Sequence, residues 1–190
     1  MHIVYGGAFN PPTVAHLETY RFMMERIKVD SFIFLPVSSA YTKSDLASNH
    51  HRINMLKLLI KDLPQASVSE IEIQDTEFMG TYHSLNRISE SLSGEVAFLI
   101  GADNLAELST WKMAESLLSE YVFIVLNRQD DSVEALIESD PFLRRHRHHL
   151  LVFQDFDVAV SSTVFRDTMN PDMVPKAIWD YIKKHQLYRR

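Results

Sequence analysis

Ile3-Val4-Tyr5-Gly6-Gly7-Ala8-Phe9-Asn10-Pro11-Pro12-Thr13-Val14-Ala15-His16-Leu17 is the stretch on which the reading of this chain turns. A short β-branched and aromatic run passes through two glycines into a proline pair, and an apolar helical pattern follows: a strand, a tight turn, a helix start. The glycine spacing matches neither the G-x-G-x-x-G of a dinucleotide fingerprint nor the G-x-x-x-x-G-K-[ST] of a P-loop, so hydride-transfer and Walker-type chemistry lose their main support. What is left is an anion site. Prolines suit a helix start, free N–H groups and the positive helix end face a ligand there, and His16, one turn inside, adds a directed donor. Glycine at the strand end is expected to supply positive φ and let a ligand approach the main chain.

Working outward, short apolar runs recur between helical patterns. Residues 3–5, 32–35, 68–73, 96–100, 121–126 and 150–153 read as strands, and several lack the alternation of a sheet with one wet face. Such runs suit strands buried on both sides of a parallel sheet. Amphipathic stretches over 15–28, 50–62, 82–92 and 113–119 separate them, with two more helices near 162–169 and 175–185. Strand–helix alternation predicts βαβ units, right-handed crossovers and helices on both sheet faces. Ligands of such sheets bind outside the carboxyl ends of the strands, which draws attention to Gly101 after the run Val96 to Ile100. Asp130-Asp131-Ser132 and Asp140-Pro141 read as loop or helix-cap punctuation.

The 190 residues carry 19 Lys plus Arg against 25 Asp plus Glu, a formal charge of −6, with 46% hydrophobic and 23% charged residues. Length and the lack of a repeat or linker predict one domain over 1–190. An acidic balance argues against a general nucleic-acid binder, so cations for an anionic ligand must be concentrated locally. The absence of cysteine excludes disulfides, thiolate nucleophiles and thiolate zinc sites. With no long apolar run for a bilayer and no signal-peptide pattern, the expectation is a cytoplasmic protein.

A second constellation lies near the other end. Ser161, Ser162 and Thr163 offer N-cap acceptors and donors for phosphate, and Arg166, three residues after Thr163, shares its helix face and would brace a polyphosphate. The run His146-Arg147-His148-His149 invites a metal reading, but adjacent positions rarely converge on one ion, so a solvated loop is expected and no metal site is assigned.

These stretches resemble the nucleotidyltransferase superfamily, whose members carry a glycine turn followed by [T/H]-x-x-H; Thr13-Val14-Ala15-His16 fits it. The resemblance to the nicotinate/nicotinamide mononucleotide adenylyltransferases is closer. Gly6-Gly7-Ala8-Phe9-Asn10-Pro11 looks like their first motif, and Ser161-Ser162-Thr163-Val164-Phe165-Arg166 is similar to their I-S-S-T-x-[I/V]-R. Thr13 departs from the histidine usual in bacterial nicotinate-type members and matches the eukaryotic-type threonine. Pro36-Val37-Ser38-Ser39-Ala40-Tyr41-Thr42-Lys43 followed by His51-Arg52, Thr81 to Leu85 with His83 in place of a common acid, Gly101-Ala102-Asp103, Thr110-Trp111 and the closing stretch from Val174 to Tyr188 extend the likeness over the chain.

The resemblance implies a three-layer Rossmann-like α/β fold with a mainly parallel sheet, strands ordered 3-2-1-4-5 plus a late extra strand. It implies adenylyl transfer from ATP to nicotinate mononucleotide with release of pyrophosphate. His16 and Arg166 carry the catalytic roles. Gly6, Gly7, Ala8, Phe9, Thr13, Gly101, Asp103, Ser161, Ser162 and Thr163 complete the ATP site. Lys43, Thr81 and Trp111 take the mononucleotide, and Arg52 has either a structural or a substrate role. Mg2+ would be bound mainly through the substrate phosphates, and a homo-oligomer is compatible with the reading. Nicotinamide mononucleotide or dual specificity, phosphopantetheine as substrate, and a non-catalytic nucleotide-binding regulatory domain are the alternatives.

Overall fold

Tight packing explains the first turn better than glycine flexibility does. In a computed structural model that describes residues 1–39, 46–127, 133–156 and 158–189, the opening run is strand β1 (His2–Gly7) and includes both glycines. A Cβ on Gly6 would stand 2.5 Å from the Phe98 ring, and one on Gly7 would stand 3.3 Å from the Phe9 ring. The left-handed residue is instead Phe9, at φ 47, held with its ring buried. The expectation of positive φ at the glycines is therefore corrected: space for two aromatic rings excludes a side chain there.

Strands β2 (Ser31–Pro36), β3 (Ala66–Val68), β4 (Val96–Gly101), β5 (Val122–Leu126) and β6 (Leu150–Phe153) join β1 in a six-stranded sheet ordered β3-β2-β1-β4-β5-β6. The pairs β2–β3, β1–β4, β4–β5 and β5–β6 are parallel. Central β4 and β5 are buried almost throughout, as strands covered on both faces must be. The late strand is present as β6. The third strand does not occupy the expected residues 68–73: it begins earlier, at Ala66, and ends at Val68, the one residue the two ranges share. Ser69 N–H still donates to Phe34 C=O (2.9 Å), but the next donor in parallel register would be Pro36, which has no N–H. Residues 70–75 then close turns, with Gln74 N–H donating to Glu70 C=O at 3.2 Å.

The chain divides into two compact units, Met1–Gly6 with Met79–Asp157, and Gly7–Phe78 with Val158–Arg190. The first holds helices α3 (Thr81–Ser89), α4 (Ala102–Leu105), α5 (Ala114–Glu120), α6 (Val133–Ser139) and α7 (Pro141–Arg145). Of the two readings of Asp140-Pro141, loop or helix cap, the second holds: Asp140 caps α7 through Phe142 N–H (2.7 Å); residues 130–132 lie outside the described residues. Of the histidine run expected as a solvated loop, Arg147 and His148 are exposed on a single 3-10 turn, but His146 is not. His146 is buried beside Phe142, with Nε2 3.2 Å from Glu115 on α5. No helix among the described residues is long and apolar enough to cross a membrane.

The second unit holds α1 (Val14–Arg26), α2 (Asn49–Ile60), α8 (Ser162–Thr168) and α9 (Lys176–His185). Helices α2 and α9 meet at a ring cluster in which His51 Nδ1 shares a hydrogen with Tyr181 Oη (2.9 Å) and lies near His185 and His50. Burial chiefly, then the charges of His185 and His50, hold the His51 pKa below its ordinary value. Above that ordinary value both folded and unfolded chains are neutral here, and full stability is present. As pH falls, the unfolded chain takes the proton first, so stability drops until the folded-state pKa is passed. The thermal midpoint is expected to fall between about pH 7.5 and about pH 5.5, and to fall less in His51→Gln. Equal losses in the two proteins would remove His51 as the source.

Candidate active site

In the second unit the loop from β1 to α1 is held on all sides by the chain itself. Thr13, fully buried, is the N-cap of α1, and its N–H donates to His16 Nδ1 at 2.9 Å, with Thr13 Oγ1 also 2.9 Å from that nitrogen. A backbone N–H can only donate, so Nδ1 accepts and the neutral ring carries its proton on Nε2. The ring also lies 5.0 Å from that of Phe9, which restricts its rotation. One helix start thus fixes both the tautomer and the orientation of a half-buried imidazole.

Helix α8 meets this loop. Ser161 caps α8 by accepting from Val164 N–H (3.2 Å), Ser162 Oγ donates to Pro11 C=O (2.8 Å), and Arg166 Nη1 donates to Asn10 C=O (2.7 Å). Arg166 Nη2 reaches Thr163 Oγ1 at 3.3 Å, the same-face contact that their spacing predicted. The structure therefore brings His16, Ser161, Ser162, Thr163 and Arg166 to one loop. It also commits the Ser162 hydroxyl proton to Pro11, so this residue serves the loop rather than standing as an open hydroxyl donor. Ala8 offers main chain only, since its carbonyl accepts from Arg52, and Phe9 is a core side chain.

Arg52 settles as structural. Its guanidinium is fully buried and donates to Ala47 C=O (3.1 Å), Ala8 C=O (2.7 Å), Val37 C=O (2.6 Å) and Asn49 Oδ1 (2.6 Å). Burial lowers its pKa, yet a guanidinium that starts above ~12 stays a cation at neutral pH. Periodicity held the signal: Arg52 lies on the buried stripe of α2 with Met55, Leu56 and Leu59. Asn10 also went unread. It is buried, and its Oδ1 accepts from Ala47 N–H (3.0 Å) and Tyr188 Oη (2.9 Å). Lys43 lies outside the described residues.

In the first unit, Gly101 is the N-cap of α4 and ends β4, with the exposed Asp103 in the first turn beside it. Trp111 is half-buried, edge-on to Phe98 at 6.3 Å and 75°. Thr81 opens α3 behind Gly80. Asn127, directly after β5, donates through Nδ2 to Gln154, while its buried Oδ1 has no hydrogen-bond partner among the described residues. Nothing in the sequence pattern distinguished it from a turn asparagine. Among the described residues no three His, Asp or Glu side chains are grouped to hold a metal ion.

Residues 4–168 match the cytidylyltransferase-like family, to which the chain belongs. Its relatives narrow the placement to the nicotinate-nucleotide adenylyltransferases. It is 31% identical to the Clostridium acetobutylicum protein of that name over 97% of both chains, and 30% identical to that of Acholeplasma laidlawii over 99% of this chain and 97% of the relative. The same fold is seen in the Plasmodium falciparum nicotinic acid mononucleotide adenylyltransferase, solved in complexes with APC and with NaAD. Both give a TM-score of 0.75, at 20% and 19% identity, covering 98% of this chain and 96% of that chain.

Proposed function

We propose that this protein is a nicotinate-nucleotide adenylyltransferase: it joins ATP and nicotinate mononucleotide to give nicotinate adenine dinucleotide and pyrophosphate. The observation that carries the reading is the hydrogen bonding of α8 to the β1–α1 loop through Ser162 and Arg166, which unites two anion-binding stretches about 150 residues apart. A phosphate oxygen of the mononucleotide attacks the ATP α-phosphorus in line, and the bond to the β-phosphate bridging oxygen breaks. A phosphate monoester is already nucleophilic near neutral pH, so positioning and charge stabilisation do the catalysis. His16 Nε2–H donates to an α-phosphate oxygen. The first N–H groups of α8, Thr163 and Arg166 hold the departing pyrophosphate, oriented by the bonds of Ser161 and Ser162.

Asp103 takes ribose hydroxyls, Thr81 and Trp111 the pyridine ring, and Lys43 the mononucleotide phosphate. The loop's donor set of N–H, O–H and guanidinium groups fits phosphate oxygens and offers no anionic ligand to a cation. Mg2+ therefore enters as part of the ATP substrate, bound by its phosphates and water.

The test is pyrophosphate release from ATP and Mg2+ with nicotinate mononucleotide, nicotinamide mononucleotide or phosphopantetheine. An advantage of ~10² in kcat/KM for the acid, ~2.7 kcal/mol of transition-state discrimination, is expected. Equal rates with the two pyridine nucleotides would make the enzyme dual-specific, and silence with all three would overturn the reading.

A further inference from the structure

We infer that Tyr188, on the turn that follows α9, is a positioning residue for adenylyl transfer, acting through Asn10 on the loop that carries the catalytic helix start. The inference rests on the proposed function above. Three separate segments meet at Asn10: its carbonyl takes Arg166 Nη1, and its Oδ1 takes both Ala47 N–H and the Tyr188 hydroxyl. Tyr188 is thus bonded to Asn10, the same residue that anchors Arg166, and Asn10 lies three positions before Thr13, the cap that fixes His16. The Tyr188 ring stands edge-on to Phe165 at 6.1 Å and 87°, next in sequence to Arg166, so one side chain contacts both the loop and α8.

The backbone is bent to put it there. Tyr188 has φ 61 and Gln186 φ 53, left-handed conformations that side-chain-bearing residues adopt only at a cost. A bulky aromatic held in that region marks a place where the surrounding contacts over-determine the chain. Burial pushes the phenol pKa well above its ordinary value, against the opposing pull of Arg166 and Arg52. The hydroxyl therefore keeps its proton and donates to Asn10 at any pH at which the protein works. An ionised phenol would have been a counter-charge to Arg166, whereas a neutral one leaves the guanidinium's charge for the ligand.

Because α8 also holds the loop through Ser162, losing the tyrosine hydroxyl shifts the loop instead of unfolding it. Misplacement costs turnover more than affinity, since ground-state ATP adapts to small displacements and the in-line geometry does not.

Tyr188→Phe keeps the ring on Phe165 and removes only the hydroxyl. It is compared with wild type, Asn10→Ala and the double variant, each assayed well below its own unfolding midpoint. Tyr188→Phe is expected to lower kcat about 3–10-fold while KM for ATP changes less than about 2-fold. The double variant is expected to be no slower than Asn10→Ala, because the two act through one contact. Should Asn10→Ala not fold, Asn10→Ser, too short to hold both donors, takes its place in the cycle. Unchanged kcat in folded Tyr188→Phe, or effects that multiply in the double variant, would overturn the inference. A wild type that releases no pyrophosphate with any mononucleotide overturns the proposed function, and this inference falls with it.

Discussion

His16→Ala is expected to lower kcat by at least ~10², the usual cost of removing one preorganised donor to charge that develops in the transition state. The pattern Thr13-Val14-Ala15-His16 alone would predict a catalytic loss with little effect on stability. The structure adds a second consequence, because His16 Nδ1 is also the acceptor for the N–H of buried Thr13. Losing that cap costs about 1 kcal/mol, or about 2–4 °C in the midpoint for a chain of this size. Steady-state kinetics and thermal unfolding of His16→Glu separate the two. A glutamate at the third helical position restores the reciprocal cap and, as a carboxylate, has no proton to donate where Nε2–H stood, so stability returns and kcat does not. Recovery of turnover with glutamate would mean that His16 acts only by capping α1.

Arg52→Met is expected to give the largest loss of stability. It strands the carbonyls of Ala8, Val37 and Ala47, and leaves Asn49 Oδ1 with the Ser39 N–H as donor. At about 1–3 kcal/mol per buried unsatisfied acceptor, partly relieved by relaxation, the total is about 3–5 kcal/mol, or roughly 10 °C in the midpoint. Arg52→Lys keeps the charge but has three donors on one point and no planar fork, so it recovers only part of the loss. A midpoint within about 2 °C of wild type in Arg52→Met would show that water replaces the guanidinium without penalty.

The features legible from sequence were local ones. Strands β1, β4 and β5 announced themselves as dense apolar runs, and Asp140-Pro141 as a loop or a helix cap. The hydroxyl cluster before Phe165 marked the N-terminus of α8. Local patterning failed where a partner decided the outcome. The third strand stopped at Val68 because its neighbour ends in Pro36. Gly6 is small because of Phe98, 92 positions away, and His146 is buried because α5 supplies Glu115. Arg52 lay on a readable stripe, but its four acceptors come from three different stretches of chain.

By itself the sequence determined the α/β class, the helix starts and the residue types able to hold phosphate, since these follow from periodicity and from groups within a turn of one another. The tertiary structure decided which donors remain for a ligand. Ser162, Arg166 and Tyr188 find their acceptors 151, 156 and 178 residues away. Polar groups withdrawn from water must be paired with whatever lies beside them in space, and that neighbour is set by the packing of the whole chain.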